Sequence, residues 1–378
     1  MAATRDSIAH GRSGLRRNDL EWCDLDTWIG RVSDVESVRL PDSLEQLHSR
    51  NNQLALLGLQ QDGMLDAVEE LKDRIGAHRI GVIIGTSTSS IRRTEQAYAH
   101  LLPDDEMAPE FRQPQVHNLH SPGIFVAAAT GIEGPALTIS TACSSSAKVF
   151  ACAARWIEHS FVDAVLVGGV DSLCMSVLYG FNSLELVADE PCRPFDRRRR
   201  GISLGEASGY ALIAKDGVLH DPRFALLGYG ESTDAYHMAH PHPEGAGALI
   251  AIDRALERAA LDADDIRYVN LHGTATPAND LIESRVLARR FSGQTLASST
   301  KGWTGHALGA AGILEAVLTL DAMRCGLVPG TLNCTEPDPE IEYPVAMENT
   351  AGPISYALSN SFGFGGNNAT LVFGHFDA

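Results

Sequence analysis

A cysteine stands where one apolar run ends and another of different period begins. The segment Ser140-Thr141-Ala142-Cys143-Ser144-Ser145-Ser146-Ala147 follows residues 135–140, a short and partly β-branched run. It precedes residues 147–157, whose apolar positions recur at helical spacing. Such a change of period places Cys143 on a strand-to-helix turn, at the positive end of the helix dipole. That position is expected to lower the thiol pKa from about 8.5 and to make a thiolate nucleophile available near neutral pH. A buried structural cysteine would give the same local pattern, and the segments downstream decide between the two.

Three polar motifs follow. His272-Gly273-Thr274-Ala275-Thr276-Pro277 comes after an apolar run at 266–271 that reads as a strand, so His272 falls at a strand end, where α/β folds place catalytic groups. Ser299-Thr300-Lys301-Gly302-Trp303-Thr304-Gly305-His306 leads into a small-residue helix predicted over 307–320. Asn360-Ser361-Phe362-Gly363-Phe364-Gly365-Gly366 precedes a strand predicted over 369–373, and its glycines permit positive φ and close backbone approach to a ligand. Taken singly, each has a plain alternative: a satisfied structural histidine, a solvated lysine, a tight turn.

Together these motifs resemble the β-ketoacyl-acyl-carrier-protein synthases of the thiolase fold, in their elongating Cys-His-His branch. Asp234-Ala235-Tyr236-His237-Met238 and Arg193-Pro194-Phe195-Asp196 are similar to further segments of that family, and the resemblance runs from about Gly11 to the C-terminus. It implies an α/β chain of duplicated α-β-α-β-α layers, with residues 1–218 carrying the nucleophile and 219–378 carrying the histidines, the lysine and the glycine-rich loop. It also implies a strand ahead of the helix that opens this chain, expected to be central to the first sheet.

The resemblance assigns the chemistry. Cys143 accepts an acyl group from a carrier thioester, and the backbone N–H groups of Cys143 and Phe364 form the oxyanion hole. A malonyl thioester then loses carbon dioxide, and His272 and His306, with the proton on Nε2, stabilise the enolate that attacks the acyl-cysteine. Lys301 organises the site, and Glu315 balances its charge, since a buried ammonium without a partner is costly. Phe364 is implied as the gate of the acyl pocket and Phe181 as part of its lining, although both also read as core aromatics. No redox cofactor or catalytic metal is implied; positions Asn270, Glu315, Ser359 and Asn360 match ones that can hold a structural cation. The implied partners are an acyl carrier protein, bringing acyl and malonyl thioesters, and a second subunit, in a homodimer or in a heterodimer with a homologous chain. Two alternatives stand beside this reading. A non-catalytic chain-length-factor-type subunit would usually lack the nucleophile, and a degradative thiolase would carry a second cysteine where this chain reads Gly363-Phe364-Gly365-Gly366.

Length and charge set the outer bounds. A chain of 378 residues suits two domains or one duplicated fold. A formal net charge of −18 argues against nucleic acid, which wants a basic face. It also sets a difficulty for docking an acidic carrier, which needs a local basic patch. The candidates are Arg50, Arg112, Arg197 and Arg198, with Arg92 and Arg93 beside them. Glu185 stands where the fatty-acid enzymes often have arginine, which suggests a dedicated carrier, as in a specialised polyene or polyketide system; fatty-acid elongation and specialised chain building both stand within the resemblance. Seven cysteines without a paired Cys-x-x-Cys suit a reduced, cytoplasmic setting. No apolar stretch approaches the roughly 20 residues of a membrane span.

Overall fold

Strands buried on both faces read as unbroken apolar runs rather than alternating ones, and two such runs organise the first half of this computed structural model. These are β1 (Ile80–Gly85) and β3 (Ala164–Asp171), in which every residue is buried. The structure describes residues 1–220 and 222–376; Asp221, near the start of the expected second half, and Asp377 and Ala378, at its end, lie outside the described residues.

Between β1 and β3 comes β2 (Ala136–Ile139), and β4 (Ala207–Ala214) follows. The sheet runs β2-β1-β3-β4, with β1 parallel to both β2 and β3, and β4 antiparallel to β3. The second sheet is built from β5 (Phe224–Thr233), β6 (Tyr268–Asn270), β7 (Leu296–Ser298), β8 (Tyr356–Gly363) and β9 (Asn367–His375). Its order is β7-β6-β8-β9-β5, again with two parallel pairs and an antiparallel β9. The four-strand order corresponds to the first four strands of the second, β1 to β6 and β4 to β9, with the same parallel and antiparallel pairings, as the expected duplication requires. β5 lies at the edge of its sheet, beside β9.

Helices α1 (Arg50–Leu59) and α2 (Ser121–Thr130) cover the outer face of the first sheet, and α5 (Ala246–Ala259) covers that of the second, with α6 (Pro277–Arg290) packed on α5. The middle layer is α3 (Ser145–Glu158) and α7 (Ala311–Cys325), crossing each other between the sheets, while α4 (Met175–Ser183) lies near the pocket described below. The core between the sheets joins Val149 and Phe150 of α3 to Ile313 and Ala316 of α7 and to Val167, Leu371 and Phe373 of the two sheets. Close crossing requires missing side chains. A Cβ on Gly312 would stand 2.4 Å from the Ala147 nitrogen, and one on Gly85 the same distance from the Ser146 nitrogen. None of the helices of the described residues is long and apolar enough to cross a membrane.

Candidate active site

The turn between β2 and α3 sets Cys143 at the head of the middle layer. Ala142 takes φ 52°, a left-handed conformation that costs a non-glycine residue about 1–2 kcal/mol. The serines around it hold the turn. The Thr141 N–H donates to Ser145 Oγ at 2.8 Å, Ser144 Oγ donates to the Thr141 carbonyl at 2.9 Å, and Ser145 Oγ donates to the Ala142 carbonyl at 2.5 Å. Ser146 Oγ accepts the Ile313 N–H at 2.9 Å, which fastens α3 to α7. The serine run is thus the scaffold of the strained turn.

His306 follows a short helical turn beginning at Lys301, and its Nε2 lies 3.1 Å from the Cys143 sulfur. The Leu308 N–H donates to His306 Nδ1 at 3.2 Å. Nδ1 is therefore the acceptor, and Nε2 carries the proton toward the sulfur. His272 stands two residues beyond β6, its ring 5.4 Å from that of His306 and nearly perpendicular to it. Its backbone is held by Glu283 of α6, whose two oxygens accept the His272 and Gly273 N–H groups at 2.8 Å each. The Lys301 ammonium donates to the His272 carbonyl and to Glu315, and lies 3.4 Å from His272 Nδ1. That contact leaves the His272 proton on Nε2 as well. The ligand atoms of Cys143, His272 and His306 all fall within 4.8 Å of one another.

Burial governs the titration of the site. It pushes His272 and His306 well below the usual histidine range, and the nearby Lys301 charge adds to the effect. Both rings are neutral donors at neutral pH. Burial likewise pushes the Cys143 thiol up to about 11, against the pull of Lys301 and of the Phe364 N–H. The expected lowering of the thiol by its helix is corrected here: desolvation outweighs the dipole. Glu283 is raised to about 7, again by burial.

A cavity of about 250 Å³ opens on the three residues and is lined also by Phe181, Leu186, Ile202, Thr274, Phe364 and Asn368. Phe181 of α4 stacks on Phe364 with ring centres 5.4 Å apart, so both expected pocket residues meet there. The Gly363-Phe364 backbone passes the nucleophile closely, since a Cβ on Gly363 would lie 3.2 Å from the Cys143 nitrogen. Both expected oxyanion donors are thus brought to the sulfur.

The expected cation ligands fit such a role in part. Among the described residues Asn270 Oδ1 and Glu315 Oε2 are buried without a hydrogen-bond partner, and Ser359 is the register neighbour of Asn270. The Asn360 side-chain oxygen instead accepts from Thr370 at 2.9 Å.

The docking arginines need correction. Arg50, with its side chain 9 % exposed, pairs with the buried Glu206 and with Glu36, and so is structural. Arg112, Arg197 and Arg198 are exposed, but each is paired, with Glu106, Glu336 and Asp196 respectively. Arg92 pairs with Glu95 and lies over Trp22, while Arg93 lies over Phe111. Each of these arginines except Arg93 is thus held in an ion pair with a carboxylate.

Sequence reading missed Glu283 and Asp171. Glu283 falls one turn after Asp280 on α6, and Asp280 holds the Ala275 and Phe195 N–H groups. A pair of acids on a buried helix face was the available signal. Asp171 ends β3 and gave none.

Comparison with known proteins agrees with this geometry. The family model of the β-ketoacyl synthase N-terminal domain matches residues 46–217, and that of the C-terminal domain matches 224–335. The chain is 33 % identical over 369 residues to the 3-oxoacyl-acyl-carrier-protein synthase 2 of Synechocystis sp., covering 91 % of this chain and 86 % of the relative. Among solved structures it is similar to a chain of the complex of the ketosynthase ApeO with its chain length factor ApeC from Xenorhabdus doucetiae. That likeness has 36 % identity, a TM-score of 0.86 and coverage of 99 % of this chain and 93 % of the other. The ishigamide ketosynthase/chain length factor gives 25 % identity and a TM-score of 0.90, covering 100 % and 95 %. A nucleophile and two neutral histidines gathered on a duplicated α/β frame, with those likenesses, place this chain in the β-ketoacyl synthase family, as a condensing acyltransferase of the elongating Cys-His-His branch of the thiolase fold.

Proposed function

We propose that the protein elongates carrier-bound acyl chains by decarboxylative condensation with malonyl-acyl carrier protein. The Cys143 sulfur attacks the acyl thioester: a new C–S bond forms, the carrier's C–S bond breaks, and the proton of the Cys143 thiol goes to the carrier sulfur, which leaves as the thiol. The C–CO₂ bond of the malonyl thioester then breaks, and its electron pair becomes an enolate. That carbon attacks the acyl-cysteine, which frees the Cys143 thiolate and leaves the β-ketoacyl chain on the carrier. The reading rests on one observation above others: His306 presents Nε2–H beside the sulfur, with Nδ1 already occupied by the Leu308 N–H. A donor so placed stabilises a developing enolate oxygen, which a carboxylate would repel. In this scheme His272 is the second donor, Lys301 and Glu315 hold it in place, and the Cys143 and Phe364 amides serve the acyl carbonyl. The division between the two halves is placed at 218/219.

The pathway we propose is specialised polyene or polyketide chain building, with a homologous subunit of chain-length-factor type as the partner. Two likenesses support it, since both solved structures named above are described as ketosynthases with a chain length factor. The unpaired outer edge of β2, half-exposed over most of its length, gives such a partner a strand to meet.

The test is to incubate the protein with carrier proteins bearing saturated or polyenoyl groups, weigh it intact, and then add malonyl carrier. An adduct on Cys143 that is consumed with release of carbon dioxide is expected, with the polyenoyl group preferred when a chain-length-factor-type subunit is present. An adduct elsewhere, or none with any acyl carrier, would overturn the reaction. Equal use of saturated chains by the protein alone, as a homodimer in light scattering, would overturn the pathway.

A further inference from the structure

Asp171 is fully buried at the end of β3, and the mechanism above does not use it. Among the described residues no cation pairs with it. Its carboxylate instead accepts five hydrogen bonds from neutral donors. Oδ1 takes the Thr86 and Thr88 hydroxyls at 2.5 and 2.8 Å and the Thr88 N–H at 2.9 Å. Oδ2 takes the Ser87 N–H at 2.8 Å and the Gly309 N–H at 2.7 Å. Hydrogen bonds to an ionised acceptor are roughly twice as strong as neutral ones.

Four of these donors belong to the segment that follows β1, so the carboxylate is anchored in the first sheet. The fifth belongs to the turn that follows His306. That turn is strained: Leu308 has φ 55°, a conformation that costs about 1–3 kcal/mol and survives only where its surroundings over-determine it. Leu308 is held on one side by its own N–H to His306 Nδ1 and on the other by Gly309 on Asp171. The contact tolerates no side chain, since a Cβ on Gly309 would stand 2.7 Å from Asp171 Oδ2 and 2.5 Å from the Ser87 nitrogen.

We propose that Asp171 is a positioning residue of the condensing site: by gripping Gly309 it keeps Leu308 in its left-handed turn and thereby locks His306 in the Nε2–H tautomer. The consequence for the reaction rests on the reading that His306 donates to the malonyl thioester. Without the grip the turn relaxes, the Leu308 N–H swings away from Nδ1, and the imidazole is free to carry its proton there. Nε2 then offers a lone pair where a donor is needed. The exchange leaves Cys143 its thiol and turns the nitrogen beside it from a donor into an acceptor, which does not hinder attack by sulfur, so the two half-reactions separate.

The test uses the full chain labelled with ¹⁵N-histidine and two variants. Asp171→Asn replaces an acceptor with a group that meets donors, and Gly309→Ala keeps the carboxylate but pushes the turn off it. In the native protein the His306 nitrogen shifts must report Nε2–H; an Nδ1–H form there overturns the proposal. In each variant a mixture of tautomers is expected, with malonyl decarboxylation down at least about tenfold, part of the 10²–10³ that one such donor supplies. Iodoacetamide labelling of Cys143 is expected to stay within about threefold or to rise, because it needs only the thiolate. Should Asp171→Asn not fold, Gly309→Ala decides. An unchanged tautomer in folded Gly309→Ala overturns the proposal, and so does a parallel fall of labelling and decarboxylation without a tautomer change, the mark of a merely structural residue. If the native protein releases no carbon dioxide from malonyl carrier, the assigned reaction fails, while the tautomer measurement still judges Asp171.

Discussion

His306 Nε2 lies 3.1 Å from the sulfur of Cys143, and the Leu308 N–H on its other nitrogen makes it a donor to that sulfur rather than its base. A histidine in this state cannot remove the thiol proton, but it can stabilise negative charge on sulfur or on a substrate oxygen. The histidines and the nucleophile should therefore fail separately. His306→Ala and His272→Ala are expected to keep acylation of Cys143 within about tenfold and to lose 10²–10³ in malonyl decarboxylation. Intact mass and trapped carbon dioxide measure the two steps. Cys143→Ala should lose the adduct altogether while melting as the native protein does; an adduct moving to Cys152 or Cys174 would refute the assignment.

Lys301 and Glu315 form an ion pair whose side chains are 2 % and 3 % exposed. Removing one partner strands a buried charge and typically costs about 3–5 kcal/mol. Glu315→Ala should accordingly lower the denaturant midpoint sharply. The pair replaced together, Lys301→Met with Glu315→Met, should regain most of that stability, because the desolvation of both ions disappears. Condensation should stay lost in the double variant, since no ammonium then holds the His272 carbonyl and ring. Recovery of activity along with stability would show that Lys301 serves only the fold.

Phe364 and Phe181 stack with an interplanar angle of 29° across the cavity. An acyl chain that enters beside Cys143 has to displace this contact. Phe364→Ala should therefore raise the acylation rate for long chains relative to short ones, read by competition between two acyl carriers. It should also slow the condensation, because the Phe364 backbone loses the side chain that anchors it. No change in chain preference would return both rings to the core.

The nucleophile, both histidines and Lys301 were legible because each sits in a contiguous motif, whereas Glu315 came only with the family resemblance those motifs carry. The duplicated frame came with the same resemblance, and the length of the chain agreed with it. What could not be read was made by distant parts of the chain. The helix dipole argued for a low thiol pKa, yet burial raises it and the distant Glu315 and Asp171 charges add to the rise, against Lys301 and the Phe364 N–H. Arg50 looked free because its partner Glu206 is 156 residues away. The helix predicted over 307–320 begins instead at Ala311, because the left-handed Leu308 turn precedes it.

The acid limb of stability tests the electrostatics of the site directly. Burial, with Lys301 adding to it, holds His272 and His306 well below the ordinary histidine value of about 6.5. The unfolded chain takes up these protons as the pH falls through 6.5, and the folded protein does not. Their contribution is thus present above 6.5 and is lost as the pH falls toward the folded values, by up to about 1.4 kcal/mol per pH unit for each histidine. Cys143 acts in the opposite sense: its thiol is raised to about 11, so its contribution is present below the ordinary thiol value and lost as the pH rises through 11. Glu283, raised to about 7, adds stability as the pH falls through that value and so opposes the histidines; the two limbs are therefore read as differences between native and variant denaturant midpoints from pH 5 to 10. The double variant His272→Gln with His306→Gln should flatten the acid limb, and Cys143→Ala the alkaline one. Malonyl decarboxylation by the native protein should show no loss as the pH passes 6.5, because neither ring protonates there. An ordinary histidine titration in that rate profile would mean that the rings are more solvated than their burial allows, and the neutral-donor role would fall with it.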